Sequence, residues 1–269
     1  MKVRKVNIGA GSFCATAVVA LAIFAGSAKG AVWTFNNCSN SGVNATCAAG
    51  SGLIARGVSN TNGGTIDKAS AVLYAGGLGV SATGEPTSSP NHAIDNNGFV
   101  DALFLQFNSQ VDLDAITIGW SQTDADISLF RYTGGGNPWN NGNSGDLLGR
   151  TYGNLTSSGW AFVGSYADLA VNSARAVNAG DGASKYWLIS AYTSLAGSGC
   201  NALPNSGATC TDGNDYFKVL SLTTSTPPLC GGTTGIACAS TVPEPGTAAL
   251  LSIALASGLM LRGRRRSPQ

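Results

Sequence analysis

Two pairs of aspartates are the residues of this sequence whose types and spacing could do chemistry. Asp114 follows Asp112 by two residues, and Asp126 follows Asp124 in the same way, so each pair would lie on one face of an extended strand. Two carboxylates placed like this can hold a hard cation such as Ca²⁺, or act together as the two acids of a hydrolase. The solvated face of an antiparallel sheet explains the same pattern without a ligand. The sequence therefore favours a solvated face, with calcium at Asp124 and Asp126 as the alternative.

Other reactive or binding side chains have simple structural explanations. His92 is the single histidine and stands in a loop-like stretch, which favours a solvated surface position over a catalytic one. Trp139 lies in a loop rich in glycine and asparagine, where its ring could either stack on a sugar or pack as a cap on the core. The sequence therefore predicts no catalytic residue, and it leaves Trp139 as the candidate glycan contact.

Cysteines are the third chemical feature. Seven are present, and one of them, Cys14, lies in an apolar N-terminal run. The other six are even in number, which is typical of a disulfide framework in an exported protein. Their wide spacing and the single histidine argue against zinc. Sequential pairs would each close a short loop, so we expect disulfides that join Cys38 with Cys47, Cys200 with Cys210, and Cys230 with Cys238.

The elements that position these residues are predicted to be β-strands. Between residues 31 and 224, glycines and clusters of Asn, Ser and Thr separate short runs rich in aromatic and β-branched residues. No long apolar repeat has helical spacing. This pattern predicts an all-β fold, a single antiparallel β-sandwich or jelly-roll-like domain. Residues 225–241 follow as a proline-bearing linker.

The apolar pattern also predicts individual strands. Alternation at 103–107 is followed by a predicted turn at 108–110. The apolar parity then changes between Ala115 and Ile116, which indicates a β-bulge. Further strands are predicted at 127–132, 147–152, 160–166, 185–192 and 216–222.

The first 30 residues have the pattern of a signal peptide. Three basic residues open the chain, an apolar run occupies 13–25, and Ala28-Lys29-Gly30 places small residues where signal peptidase cleaves. The mature protein is therefore expected to begin near Ala31 and to be exported.

The last segment, residues 242–269, has three consecutive parts. Pro243, Glu244 and Pro245 form an extended tripeptide, because each proline fixes φ and removes a backbone donor. The apolar run at 247–261 is short for a transmembrane helix, which needs roughly 20 residues. A basic cluster that would mark the cytoplasmic end of this helix consists of Arg262, Arg264, Arg265 and Arg266.

This order of prolines, apolar helix and arginines resembles the PEP-CTERM sorting signal of Gram-negative bacterial surface proteins. The resemblance implies that exosortase, an integral membrane enzyme, recognises and processes the segment. An ordinary C-terminal membrane anchor with a proline-bearing linker is the alternative. Two internal stretches, 119–128 and 186–192, resemble one branch of these cargo proteins, the exosortase-dependent surface proteins. Such proteins are associated with exopolysaccharide and biofilm matrix.

Charge and resemblance together set the functional expectation. Without its two ends the chain has seven basic and 13 acidic residues, and this net charge of −6 argues against nucleic acid as a partner. The resemblance implies a non-enzymatic structural or adhesive protein that is a precursor in the inner membrane before it reaches the cell surface or matrix. A carbohydrate-binding module, or a hydrolase that uses an aspartate pair, are the alternatives. Apart from Ca²⁺, no cofactor is expected.

Overall fold

The computed structural model describes residues 30–226 except 36, 39–45, 51, 87, 140–144, 181, 196, 198 and 203–208. Strands dominate these ranges, and the one helix found in them is a 3-10 helix at Tyr152–Ser158, so the all-β prediction is confirmed. The strands are β1 (Ala31–Thr34), β2 (Asn37–Cys38), β3 (Thr46–Ala49), β4 (Leu53–Asn62), β5 (Thr65–Tyr74), β6 (Gly77–Ser81), β7 (Ile94–Asp95), β8 (Asp101–Ser121), β9 (Ile127–Tyr132), β10 (Trp160–Tyr166), β11 (Ala174–Ala176), β12 (Ser184–Ala191), β13 (Cys200–Asn201) and β14 (Tyr216–Ser225).

The strands join into one sheet that folds back on itself. The order along the sheet is β13-β10-β9-β12-β8-β14-β6-β5-β4-β3-β2, and β4 also pairs with β8. Neighbouring strands are antiparallel, except that β10 and β13 are parallel. Because the path from β8 through β14, β6 and β5 to β4 returns to β8, the sheet encloses a core in the manner of a sandwich.

The longest strand, β8, belongs to both layers of this arrangement. Its first half pairs with β12 and β4 in the first layer, and its second half pairs with β14 and β11 in the second layer. The exposed residues Asn108, Ser109 and Gln110 lie inside β8 at the corner between the halves, so the predicted turn at this position is wrong. A register shift against β14 at Asp114 confirms the predicted bulge beside Ala115.

Apolar side chains cover both faces of the first layer. The larger core lies between the layers and includes Leu103 and Leu105. A second core on the outer side contains Phe104, Phe130 and Trp160 together with residues of the 3-10 helix. Strands that are covered on both faces carry continuous apolar runs. This explains why Phe104 stands between two core leucines.

Several sequence predictions can be compared with this fold. The strands predicted at 127–132, 160–166, 185–192 and 216–222 are confirmed as β9, β10, β12 and β14. The strand predicted at 147–152 is wrong, because these residues form turns that lead into the 3-10 helix. Among the described residues, no helix has the length and apolar character that crossing a membrane requires. The predicted signal peptide up to residue 29, the linker from 227 and the sorting signal lie outside the described residues.

Candidate functional site

Acidic side chains gather where the two ends of β8 come together. At the end of β8, Ser121 pairs with Phe217 of β14, and the adjacent Tyr216 pairs with Asp95 of β7. Asp95 in turn lies beside Asp101, the first residue of β8. This region, which we call the acidic end, holds eight of the 14 acidic residues of the chain: Glu85, Asp95, Asp101, Asp124, Asp126, Asp168, Asp212 and Asp215.

The inner cluster of the acidic end consists of Glu85, Asp95 and Asp101. Glu85 lies in the connection between β6 and β7, Asp95 lies in β7, and Asp101 opens β8 opposite Ser59 of β4. Carboxylate oxygens of the three residues lie within 4.8 Å of one another. Only 1% of Asp95 and 0% of Asp101 is exposed, whereas Glu85 is half-buried. Three carboxylates from three separate segments therefore converge in the interior.

Most oxygens of the inner cluster have no protein partner. Asp95 Oδ1 accepts a hydrogen bond from the backbone N–H of Asn97 at 3.0 Å. The other five carboxylate oxygens are buried and lack any hydrogen-bond partner within the described ranges, and so does the Oγ of Ser59. Burying such groups without partners is unfavourable, so native proteins contain few of them. Each one calls for an explanation, and an ion is one of the standard explanations.

Burial raises the pKa of all three carboxyls in the inner cluster. It raises the pKa of Asp95 to about 7, and it raises the pKa of Asp101 well above its ordinary value. Burial also raises the pKa of Glu85, and the charge of Glu85 adds to the increase at both aspartates. The hydroxyl of Ser59 opposes the increase at Asp101, and the backbone N–H of Ala82 opposes the increase at Glu85, although neither pair meets hydrogen-bond geometry. In the absence of a cation, Asp101 would retain its proton near neutral pH and Asp95 would retain it in part.

The outer cluster consists of Asp124, Asp126 and Asp168. Its carboxylate oxygens are as close as those of the inner cluster, within 4.8 Å of one another. Asp124 Oδ1 accepts the backbone N–H of Ala125 at 2.8 Å, and Asp126 Oδ1 accepts the backbone N–H of Asp168 at 2.7 Å. Asp126 is buried, Asp124 is half-buried and Asp168 is exposed. Backbone N–H groups therefore donate hydrogen bonds to the two less exposed carboxylates.

The pKa values of Asp124 and Asp126 in the outer cluster are also raised. Burial raises the pKa of Asp126 to about 7; the hydrogen bond from Asp168 opposes this increase, and the charge of Asp124 adds to it. Burial is likewise the main cause of the raised pKa of Asp124, and the charge of Asp212 contributes. The outer cluster thus has three carboxylates, as the inner cluster does, but two of them accept backbone hydrogen bonds.

Asp215 connects the two clusters. Its Oδ1 accepts the backbone N–H of Asp126 at 2.7 Å, and its Oδ2 accepts the side-chain amide of Asn96 at 2.6 Å and the backbone N–H of Tyr192 at 3.2 Å. The Oδ1 of Asn96 accepts the backbone N–H of Asp215 at 2.9 Å. Asn96 directly follows Asp95 of the inner cluster. Burial raises the pKa of Asp215 to about 8.

The predicted aspartate pairs have different environments in the structure. Asp124 and Asp126 do come together, but in the connection between β8 and β9, and their third partner is Asp168. Because Asp126 is 1% exposed, the prediction of a solvated sheet face is wrong for this residue. In the other pair, Asp112 is buried in β8, so the prediction is wrong for this residue too, and Asp114 accepts a hydrogen bond from a serine of β14. Calcium at Asp124 and Asp126 stays a prediction.

Trp139 and His92 both pack against other side chains. The ring of Trp139 is half-buried, with the ring of Phe104 and the guanidinium of Arg56 each 5.1 Å from it. These are the contacts that the packing alternative predicts, and a glycan contact by the rest of the ring stays a prediction. His92 is half-buried, with its ring 4.2 Å from that of Tyr74.

Two of the three predicted disulfides are confirmed. Cys38 and Cys47 are paired residues of β2 and β3, and their sulfurs are bonded. Cys200 of β13 is bonded to Cys210, ten residues later. The third predicted pair, Cys230 and Cys238, lies outside the described residues, as do the sorting motif at 243–245 and the arginine cluster at 262–266.

A cleft of about 490 Å³ lies beside β10. Phe162 and Tyr166 of β10 contribute aromatic surface to it, and Arg131 and Arg175 contribute positive charge. Arg175 donates a hydrogen bond to the carbonyl of Asn201, and its guanidinium lies 5.8 Å from the ring centre of Tyr166. The Nε atoms of both arginines are buried without a hydrogen-bond partner in the described part of the chain. Such a cleft could bind a negatively charged group attached to a ring that stacks on aromatic surface.

Sequence reasoning missed the inner cluster and the arginine cleft. The inner cluster has no spacing motif, because its members come from a loop, a two-residue strand and the start of a long strand. One signal was available: Asp101 is in phase with Leu103 and Leu105, which face the core, so a carboxylate stands where the pattern requires an apolar residue. Comparisons with protein-family models, curated proteins and solved structures found no match.

Proposed function

We propose that this chain is an exported bacterial surface protein that acts as a structural or adhesive, non-enzymatic component of the cell surface or its exopolysaccharide matrix. The observation that carries this proposal is the pair of short-range disulfides, Cys38–Cys47 and Cys200–Cys210, because such bonds persist in oxidising compartments. The sequence pattern supplies the route. Signal peptidase would remove the first 30 residues, and exosortase would process a precursor held in the inner membrane by residues 242–269.

The fold proposed for this role is an antiparallel sandwich of the jelly-roll type. Its support is the closed path of strands together with the position of the two disulfides. The strand order ends at β13 on one side and at β2 on the other, and both of these strands are only two residues long. Each carries one half of a disulfide, which holds a short terminal strand in place. Such stapling suits a protein that works outside the cell.

The sorting part of the proposal is tested by replacing Pro243, Glu244 and Pro245 with alanine. Alanines would let the apolar helix extend backwards through the tripeptide, so we expect uncleaved precursor to accumulate in the inner membrane. Membrane fractionation with immunoblotting measures this. Replacing Pro227 and Pro228 of the linker is the matched control and should leave sorting normal. Normal surface arrival of the 243–245 variant would contradict the proposal.

A carbohydrate-binding role is the second candidate, and the arginine cleft is the observation that favours it. Arg131 and Arg175 are two of the seven basic residues between the chain's two predicted targeting ends, and both line the same cleft as Phe162 and Tyr166. Aromatic surface suits a sugar ring, and guanidinium groups suit a carboxylate. The ligand class would therefore be an acidic polysaccharide that contains uronic acids or similarly charged sugars.

The experiment for this second role compares binding to the producer's exopolysaccharide before and after chemical reduction of its carboxyl groups. Because hydrogen bonds to charged groups contribute about 1.5–3 kcal/mol, Arg175→Gln should weaken binding about tenfold or more. Lys185→Gln, at an exposed position of β12, is the matched control and should bind normally. Loss of binding in Trp139→Ala with normal binding in Arg175→Gln would move the glycan contact to Trp139.

The hydrolase alternative has its own test. It would use Asp124 and Asp126, whose carboxylates lie within 4.8 Å of each other. Turnover of a polysaccharide by the wild-type chain that disappears in Asp124→Asn would contradict the non-enzymatic proposal. We expect no turnover from either protein when reducing ends released from the exopolysaccharide are measured.

A further inference from the structure

The inner cluster has the properties of a cation site. We propose that Glu85, Asp95 and Asp101 bind one calcium ion through their carboxylates, where the connection after β6 and the strand β7 meet the start of β8. This site does not depend on the proposed surface function. It is also separate from the aspartate pair that the sequence singles out.

The distances within the inner cluster are compatible with a bound calcium ion. Calcium binds oxygen at about 2.3–2.6 Å, so two oxygens on opposite sides of one ion lie about 5 Å apart. The ligand oxygens of Glu85, Asp95 and Asp101 all lie within 4.8 Å of one another, which is inside this limit. Three carboxylates supply between three and six oxygens, depending on whether each binds through one or both. The partnerless Ser59 Oγ is a further oxygen directly opposite Asp101.

The unpaired oxygens provide independent support for a ligand. Asp101 is 0% exposed, and neither of its carboxylate oxygens has a hydrogen-bond partner among the described residues. Both oxygens of Glu85 and the Oδ2 of Asp95 are in the same state. A single ion placed among them would satisfy these oxygens together, which no one N–H donor could do.

The charges in this region also favour a cation. The neighbouring charges that act on Asp95 and Asp101 are those of other carboxylates, and no basic residue in the described part of the chain offsets their repulsion. A divalent ion removes most of the repulsion among three negative charges. Calcium fits better than magnesium, because magnesium requires a regular octahedron at about 2.0–2.1 Å and usually keeps several waters. The two aspartates are almost completely buried, so an ion that binds mainly through protein oxygens suits this site better than one that keeps several waters.

The first experiment uses the full chain in mild detergent. Metal analysis after dialysis against calcium chloride should find one calcium per chain. Because only the folded state has the site, a calcium concentration about a hundred times the Kd should raise Tm by roughly 5–10 °C relative to chelator. Magnesium chloride at the same concentration should raise it much less. Coincident melting curves in calcium and chelator would overturn the proposal, and an equal shift in magnesium would overturn the assignment to calcium.

Substitutions then locate the ion. Asp101→Asn keeps the shape of the side chain and removes one charge, so it should abolish the calcium-induced shift. In chelator the same variant should melt close to the wild-type chain, because the Asp101 carboxyl is then protonated and carries no charge for the substitution to remove. Asp168→Asn in the outer cluster is the matched control and should keep the shift.

A shift that survives in Asp101→Asn and is lost in Asp168→Asn would overturn the proposal, because it would place the ion in the outer cluster. If Asp101→Asn does not fold, Glu85→Gln tests the same site at its half-buried rim. That variant should lose most of the calcium-induced shift. An unchanged shift in Glu85→Gln would count against the site.

Discussion

The inner and outer clusters each contain three carboxylates and have different surroundings. Each brings three carboxylates within 4.8 Å, and each has raised pKa values. In the outer cluster, backbone N–H groups donate to Asp124 and Asp126. In the inner cluster, five of the six carboxylate oxygens have no donor among the described residues. The difference therefore lies in hydrogen bonding and not in charge.

This difference separates two uses of a buried carboxylate. Asp126 and Asp215 accept backbone N–H groups from neighbouring segments, so they act as connectors between strand ends. The carboxylate of Asp101 accepts no hydrogen bond from any described residue, although it is buried as completely as those of Asp126 and Asp215. A carboxylate with backbone donors has a structural role that requires no ion, whereas one without donors is in the state expected of an ion ligand. Proximity of acidic residues alone would not have distinguished the two clusters.

The largest expected effect is a loss of stability with rising pH in the presence of chelator. The pKa values of Asp95 and Asp126 are about 7 and that of Asp215 is about 8 in the folded protein, all above the ordinary value of a free aspartate. A carboxyl with a raised folded-state pKa favours folding while it is protonated. Its stabilising contribution is present below the unfolded-state pKa and is lost as the pH rises through the folded-state pKa.

Between pH 5 and pH 8 the free energy of unfolding in chelator should therefore fall by at least about 3 kcal/mol, since each pH unit of unequal protonation changes it by about 1.4 kcal/mol. In saturating calcium the fall should be smaller, because the ion takes the place of protons in the inner cluster. The part of the fall that comes from Asp126 and Asp215 should remain in calcium. Urea unfolding at both pH values, with and without calcium, measures the contribution of the inner cluster and that of Asp126 and Asp215 separately. Equal losses in calcium and chelator would contradict the distinction between the clusters.

The second effect concerns Asn96, which joins the clusters. Its side chain donates to Asp215 Oδ2 and accepts the Asp215 backbone N–H, so Asn96→Ala leaves buried polar atoms with fewer partners. We expect a loss of about 2 kcal/mol in unfolding free energy. Asn97→Ala is the matched control, because its side chain is exposed and should contribute less than about 0.5 kcal/mol. Equal losses of unfolding free energy in the two variants, measured by urea unfolding, would show that Asn96 does not join the two clusters.

The strands and the local disulfides could be predicted because their signals are local. Alternation within a few residues predicted β9, β10, β12 and β14, and short cysteine spacing predicted Cys38–Cys47 and Cys200–Cys210. The error at 108–110 has a physical reason. Three polar residues in a row mark a reversal in most sheets, but here they form an exposed corner at which β8 crosses between layers without ending.

The inner cluster could not be predicted because its contacts depend on the tertiary fold. Glu85 and Asp95 are ten positions apart in the chain, and their contact with Asp101 requires β7 to pair with β14 while β4 pairs with β8. Asp124 and Asp126 attracted attention through their spacing, yet the third member of their cluster, Asp168, lies beyond the next strand pair. Sequence spacing identified two ligand candidates out of the six residues that form the two clusters.

The smallest expected effect tests whether the backbone or the charge of Asp168 supports the outer cluster. The hydrogen bond to Asp126 comes from the backbone N–H of Asp168, whose exposed side chain is not needed for it. Asp168 also has φ 50°, a left-handed conformation that asparagine tolerates and valine does not. Asp168→Asn should therefore change Tm by less than about 2 °C, whereas Asp168→Val should cost about 1–2 kcal/mol through backbone strain. Thermal unfolding of both variants measures this, and similar losses in the two would show that the carboxylate itself supports the outer cluster.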